Sequence, residues 1–578
     1  MKNIRICLAA AVLAAFAALF LSPSAVFARN PAVTRAASAA DDALAGRMDA
    51  FLSSIYKPGE PGAAVLVKKN GRILLRKGYG LADMELGVPI APDMVFRLGS
   101  ITKQFTAVGI LKLAEQGKLS LDDDVTAFLP GYPTGGKAVT LKRLLTHTSG
   151  LVSYTDLPEW LPLRRKDMSL EELVDLFKDK PAEFSPGERW QYCNSGYVLL
   201  GAVIEKVSGM TYAEFVRKEI FEPLEMRHSD YDSPTRIIPR RIGGYQKGNE
   251  GYENAPYLSP TQPYAAGALL SSVDDMTVWI ESLLAGRLIK RETLEKAFTP
   301  GILNNGRTTG YGYGWFISTY HGRRIIEHGG GINGFITAML FAPEDGVSVI
   351  LLTNAIGDGR DPEADAFRLA ALALGDPYVD PAPVVLEEKD LEPLVGVYVN
   401  ERGVDRFITR EGGRLFAQRA GGAKYELFPL SADEYFFKDS LSRMRVRGKA
   451  GAVEGLEFTE RIGPVDDYAR TDRPLPAPRV EASLDPALYD RLTGVYELSP
   501  DFTITITKED GRLMGMATGQ PKVELYPESE TDFFLKVADA RIVFTLDASG
   551  QAVGLTLYQN GLALPAKKIK SSFETPFS

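Results

Sequence analysis

Ser100-Ile101-Thr102-Lys103 opens a run, Ser100–Gln116, in which Ile101, Phe105, Val108 and Leu111 recur at helical spacing and which Gly117 closes. A serine and a lysine three residues apart share one helix face, so the lysine nitrogen can approach the serine oxygen. A serine hydroxyl is a weak nucleophile at neutral pH and needs a base beside it. Lysine can be that base only if its pKa is lowered. The positive end of a helix, burial and neighbouring cations all push that way. Taken alone the pattern is common. Ser54-Ile55-Tyr56-Lys57 fits it too, but runs into Pro58-Gly59-Glu60-Pro61-Gly62, which leaves no helix to hold the geometry.

Tyr192-Cys193-Asn194 precedes a second helical run, Ser195–Val207, closed by Gly209. A tyrosine near a cationic lysine ionises more readily and can relay protons. An asparagine offers a substrate amide both a donor and an acceptor. The plain alternative is a helix-entry aromatic with Asn194 as N-cap. Tyr398-Val399-Asn400 and Tyr558-Gln559-Asn560 repeat the triplet in predicted strands, where the tyrosine is expected in a core and the asparagine in a turn. His328-Gly329-Gly330-Gly331 follows a predicted strand, Arg323–Glu327. Glycines there let a substrate lie along the strand edge and leave backbone N–H groups free for an oxyanion, while His328 can donate a hydrogen bond or carry charge. The alternative is a glycine-rich hairpin loop.

The 578-residue chain is too long for one core, so two or three domains are expected. Proline-rich connectors around Asp380-Pro381-Ala382-Pro383 and Arg473-Pro474-Leu475-Pro476-Ala477-Pro478 divide it. The expected domains are 29–378, 385–472 and 484–572. The last two are repeats at a constant offset of 98 residues: Gly396-Val397-Tyr398 matches Gly494-Val495-Tyr496, and Glu426-Leu427-Phe428-Pro429 matches Glu524-Leu525-Tyr526-Pro527. Their short alternating runs, split by turns such as Asp510-Gly511, predict small antiparallel β-barrels. The first domain reads as α+β. It has a hairpin around Asn70-Gly71, helices between, and strands over Tyr313–Tyr320, Arg323–Glu327, Phe335–Phe341 and Val347–Thr353.

Composition is that of a soluble globular protein, with 45% apolar and 24% charged residues. A net charge of −8 with no basic stripe argues against nucleic acid as a partner. Lys2 and Arg5, an apolar run from Leu8 to Leu21 and the small-residue pattern ending at Ala28 read as a signal peptide over residues 1–28. The mature protein is therefore expected in the periplasm or the medium, with no membrane span. Cys7 leaves with that segment, so Cys193 has no disulfide partner. Four scattered histidines give no metal-ligand spacing, and no cofactor is expected.

The order Ser-x-x-Lys, Tyr-x-Asn, His-x-Gly resembles the serine β-lactamase and penicillin-binding protein superfamily, and the intervening text resembles its class C-like members. Leu144-Leu145-Thr146-His147-Thr148-Ser149-Gly150-Leu151, Phe184-Ser185-Pro186-Gly187-Glu188 and Ala266-Gly267-Ala268-Leu269-Leu270-Ser271-Ser272 carry that likeness, over roughly residues 45–375. The resemblance implies a β-lactamase/transpeptidase-like domain in which Ser100 forms an acyl-enzyme, Lys103 takes its proton and Tyr192 shares the relay and serves the leaving group. It further implies that Asn194, His328, Gly330 and Gly331 contact substrate, with the N–H groups of Ser100 and Gly331 as oxyanion hole. His328 stands where class C β-lactamases carry lysine; family members with His-x-Gly include D,D-peptidases and D-aminopeptidases. The implied function is hydrolysis of D-amino-acid peptides or related small substrates. The alternatives are β-lactamase or esterase action, or a penicillin-recognising sensor that acylates with little turnover. The paired C-terminal domains look like the barrels appended to a D-aminopeptidase of this superfamily.

Overall fold

The computed structural model describes residues 39–570, apart from positions 249–250, 439, 450–451, 460–464, 478, 500–501, 519, 521 and 560–561. The expected leader, residues 1–28, lies outside the described residues. No described helix is long and apolar enough to cross a membrane.

The first domain is built on a six-stranded antiparallel sheet. Its strands are β1 (Ala63–Lys69), β2 (Arg72–Tyr79), β3 (Phe316–Tyr320), β4 (Arg323–Ile332), β5 (Phe335–Ala342) and β6 (Val347–Thr353), in the spatial order β3-β4-β5-β6-β1-β2. Chain start and chain end of the domain meet where β1 pairs with β6, Ala63 opposite Thr353. Asn70 and Gly71 join β1 to β2 with positive φ values of 48° and 78°, the backbone of the expected type I′ turn.

Successive side chains of a strand point to opposite faces, and β1 sorts its residues accordingly. Val65 and Val67 join Val349 and Leu351 of β6 beneath helices α1 (Ala39–Ile55) and, later in the chain, Pro362–Leu374. Ala64 and Leu66 join Ile350 and Leu352 against the helical lobe, which includes α2 (Thr102–Glu115) and α3 (Asn194–Ser208). With both faces covered, every residue of β6 is buried. Each fully buried Val, Leu or Ile of this kind contributes about 1.5–3 kcal/mol.

Four local expectations are revised. Ser100 does not begin an α-helix: Gly99–Ile101 forms a 3₁₀ turn and α2 starts at Thr102. Helix α2 is not one-sided. It lies between the sheet and other helices, and every residue from Thr102 to Leu111 is buried. Strand β4 does not stop at Glu327 but runs through the glycines to Ile332, because β5 continues to pair with it. Ser54 does lie on a helix, at the end of α1, where its hydroxyl bonds the Phe51 carbonyl and is exposed.

Beyond the first domain stand two closed barrels of eight antiparallel strands each, the first from Gly396–Asn400 to Val465–Arg470, the second from Gly494–Ser499 to Leu562–Lys570. Their internal likeness reaches single bonds. The Tyr398 hydroxyl donates to the Leu394 carbonyl at 2.8 Å and that of Tyr496 to the Leu492 carbonyl at 2.6 Å. Both rings are fully buried. Tyr558 departs from its expected core position and is 40% exposed.

Candidate active site

The turn before α2, the turn before α3 and the glycine segment of β4 converge. Lys103 is wholly buried, and its Nζ lies 3.1 Å from the Ser100 Oγ, 2.8 Å from the Asn194 Oδ1 and 2.9 Å from the Ala266 carbonyl oxygen. Burial holds the amine well below the ordinary lysine range. Ser100 remains partly open to solvent.

Tyr192 brings its ring beside this amine, with Nζ 4.7 Å from the ring centroid. Its hydroxyl faces Ser100 but makes no hydrogen bond within 3.5 Å and is shut away from solvent. Burial raises the phenol pKa above the ordinary tyrosine range, so the expected easier ionisation does not occur. Asn194 is the first residue of α3; its N-cap is Cys193, without a side-chain cap bond. Its amide is committed at both ends, Oδ1 to Lys103 and Nδ2 to the Thr155 hydroxyl at 3.0 Å.

On β4, β3 pairs only as far as Glu327, opposite Phe316. Beyond that point the outer edge faces Ser100 instead of a strand. A methyl group on Gly330 would sit 2.0 Å from the Leu98 carbonyl oxygen and 3.0 Å from the Ser100 nitrogen. Glycine thus allows the backbone of β4 to lie against the Leu98–Ser100 turn. Gly331 is exposed at the mouth, and a methyl group on it would meet nothing within 4 Å. His328 points the other way, into the helical lobe, and is 3% exposed. Its Nδ1 donates to the Gly329 carbonyl at 2.6 Å, and its Nε2 lies 2.9 Å from the Tyr311 hydroxyl.

Two residues complete this arrangement that sequence reasoning gave no role, although His147 lies in the family-like Leu144–Leu151 stretch. His147 Nδ1 accepts the Cys193 N–H at 3.1 Å, and its ring lies 4.4 Å from that of Tyr192 and 4.7 Å from that of Tyr311. Burial and the nearby Lys103 push its pKa down, so it stays neutral. The only sequence signal for Tyr311 is an aromatic between glycines, which is too common to single it out.

Residues 40–374 match the beta-lactamase family. The chain belongs to that family. Penicillin-binding protein 4* of Bacillus subtilis is 33% identical over 398 residues, covering 65% of this chain and 87% of that protein. The octameric penicillin-binding protein homologue from Pyrococcus abyssi superposes with a TM-score of 0.54 at 28% identity, covering 73% of this chain and 99% of that one. D-amino acid amidase from Ochrobactrum anthropi SV3 gives 0.50 at 25% identity, covering 59% and 99%. Residues 478–572, across the second barrel, match a domain of unknown function, DUF3471. The β-lactamase-related protein is accordingly a serine hydrolase.

Proposed function

We propose that it is an exported hydrolase that cleaves amide or ester bonds in D-amino-acid peptides or related small substrates through an acyl-enzyme on Ser100. The observation carrying this reading is the convergence of Lys103 and Tyr192 on Ser100, which is partly open to solvent. Ser100 Oγ attacks the substrate carbonyl carbon and passes its proton to the neutral Lys103 amine. The resulting oxyanion lies between the N–H groups of Ser100 and Gly331. Tyr192, still protonated, donates to the leaving nitrogen or oxygen, and the proton that Lys103 took from Ser100 then restores the phenol. Water then attacks the acyl carbon and passes a proton to Lys103; as the carbon–oxygen bond to Ser100 breaks, Lys103 returns that proton to the Ser100 oxygen and the acid leaves. Asn194 fixes Lys103 and keeps one amide hydrogen for a substrate carbonyl. His328 acts from within the lobe as a positioning residue for β4 and Tyr311 rather than as a charge on the substrate. The likeness to a D-amino acid amidase and to penicillin-binding proteins supports D-configured amides as the first substrates to try.

A fluorophosphonate probe tests the nucleophile. Wild-type protein is expected to label and Ser100→Ala is not. Labelling that persists in a folded Ser100→Ala protein rules out this assignment.

A further inference from the structure

Three lining residues of a cavity of about 260 Å³, Arg97, Asn333 and Pro260, stand on chain segments that lead into the site. Arg97 stands three residues before Ser100, a span of at most about 11 Å even in extended chain. Asn333 follows Gly331 by two residues at the end of β4. Pro260 belongs to the segment that leads to Ala266, whose carbonyl holds Lys103. The Tyr192 turn contributes nothing to the cavity lining. With Tyr192 assigned to the leaving group and Arg97 and Asn333 flanking the Ser100 and Gly331 segments, the acyl portion is the part of the substrate that this cavity would take.

Its charge is unusual for a chain that is net acidic. The Asp232 carboxylate is nearly fully buried and carries two guanidinium groups. Arg97 Nε bonds one oxygen at 2.8 Å and Arg241 Nη1 the other at 2.9 Å. The Ser233 N–H saturates the carboxylate further at 2.8 Å. Two cations on one anion leave one positive charge. Around them, Arg165 lies over the Tyr257 ring at 5.9 Å and Asp167 accepts the Ser259 hydroxyl at 2.6 Å, a second pair that adds no net charge. Among the described residues Arg241 engages only Nη1, with Asp232 and the Ser233 carbonyl. Its Nε and Nη2 donors make no hydrogen bond to protein among the described residues, the side chain is one third exposed, and a planar guanidinium fork suits a carboxylate.

We infer that this cavity is an acyl-side subsite for an anionic group, so that the preferred substrates carry a carboxylate on the acyl portion, beyond the residue whose carbonyl is attacked. The inference rests on the proposed acyl-enzyme role of Ser100 for its orientation, and on the cavity itself for its charge.

The test uses binding without turnover. N-succinyl-D-alanine anilide and its carboxamide counterpart, N-succinamoyl-D-alanine anilide, differ only in the terminal charge. Titrated calorimetrically into full-length Ser100→Ala protein, the carboxylate is expected to bind about tenfold more tightly, since a hydrogen-bonded charge pair that is partly open to solvent is worth about that much. Adding Arg241→Gln is expected to erase the preference, while Arg97 still neutralises Asp232. Equal affinities in Ser100→Ala, no binding of the carboxylate ligand at millimolar concentration, or a preference unchanged by Arg241→Gln overturns the inference. Fluorophosphonate labelling of the wild type judges the nucleophile separately. Labelling at Ser100 with equal affinities sinks the subsite alone; a retained preference without labelling supports an anion site in the cavity but overturns the nucleophile and, with it, the acyl-side orientation.

Discussion

The Lys103 amine and the Ser100 hydroxyl are 3.1 Å apart, and the other two contacts of that amine are both carbonyl oxygens, from Asn194 and Ala266. A neutral amine has two N–H donors and one lone pair. The two oxygens take the donors, which leaves the lone pair for the serine proton. An ammonium would point a third donor at a group that must itself lose a proton. Lys103→Ala is therefore expected to slow acylation by about 10²–10⁴-fold. Lys103→Arg should be as slow, because a guanidinium does not deprotonate. Stopped-flow acylation by a chromogenic ester measures both. An arginine variant with near wild-type rate would remove Lys103 as the base.

The pH profile follows from the same burial. Lys103 must be neutral, and its pKa is depressed; Tyr192 must be protonated, and its pKa is raised. kcat/KM is expected to rise as pH climbs through a value well below that of ordinary lysine, then to stay level past the range where a free tyrosine ionises, near pH 10. The stability sign agrees. A lysine whose folded pKa is depressed contributes stability that is fully present above its unfolded value, near 10.4, and is lost as pH falls toward the folded one. A rate still rising above pH 10 would contradict a depressed amine.

Much of this was legible in the sequence, for identifiable reasons. Asn70-Gly71 specified its turn because few other pairs accept two positive φ values. The barrels announced themselves by repetition, and Tyr398 and Tyr496 keep the same bond 98 residues apart. Ser100, Lys103 and Tyr192 stood out because the chemistry proposed for them needs those residue types, and the structure brings the three side chains together. What was hidden depended on neighbours distant in the chain. On sequence grounds His328 has a substrate contact beside a possible loop, whereas pairing with β5 continues the strand and the pleat turns the ring inward. A nearby lysine favours ionisation of Tyr192 on sequence grounds, whereas burial of the phenol, which only the fold creates, works the other way.

Tyr192→Phe separates catalysis from folding. The hydroxyl is buried without a hydrogen bond, so its removal is expected to leave thermal stability equal or slightly higher. Turnover is expected to fall by about 10²–10⁴-fold, as for other proton-transfer groups. Melting curves and steady-state rates on one preparation check both. Full activity in the variant would reduce Tyr192 to a packing residue.

His147 should behave as a positioning residue. It holds the Cys193 N–H and wedges between Tyr192 and Tyr311. His147→Ala leaves a buried N–H unpaired and a cavity among rings, expected to cost about 2–5 kcal/mol. His147→Asn can restore the acceptor and tolerates the positive φ of 57° at this position. Asparagine is expected to recover kcat more than KM, because the turn it holds orients Tyr192. Equal kcat for the alanine and asparagine variants would show that the bond to Cys193 is not what matters.

Two neighbouring glycines make the sharpest contrast. On Gly330 a methyl group would collide with the Leu98 carbonyl at 2.0 Å, which is backbone and cannot swing away. Gly330→Ala must push β4 from the Ser100 turn and pull apart the two N–H groups proposed for the oxyanion. Losing one such donor costs about 10²–10³ in kcat. On Gly331 the same methyl meets nothing within 4 Å, and no positive φ makes alanine strained there. Gly331→Ala is expected to acylate within about threefold of wild type, a difference of roughly 0.6 kcal/mol in the barrier. Acylation rates of the two alanine variants, with circular dichroism to confirm folding, decide the matter: a Gly330→Ala protein as fast as Gly331→Ala would mean that the close approach of β4 to Ser100 does not build the site.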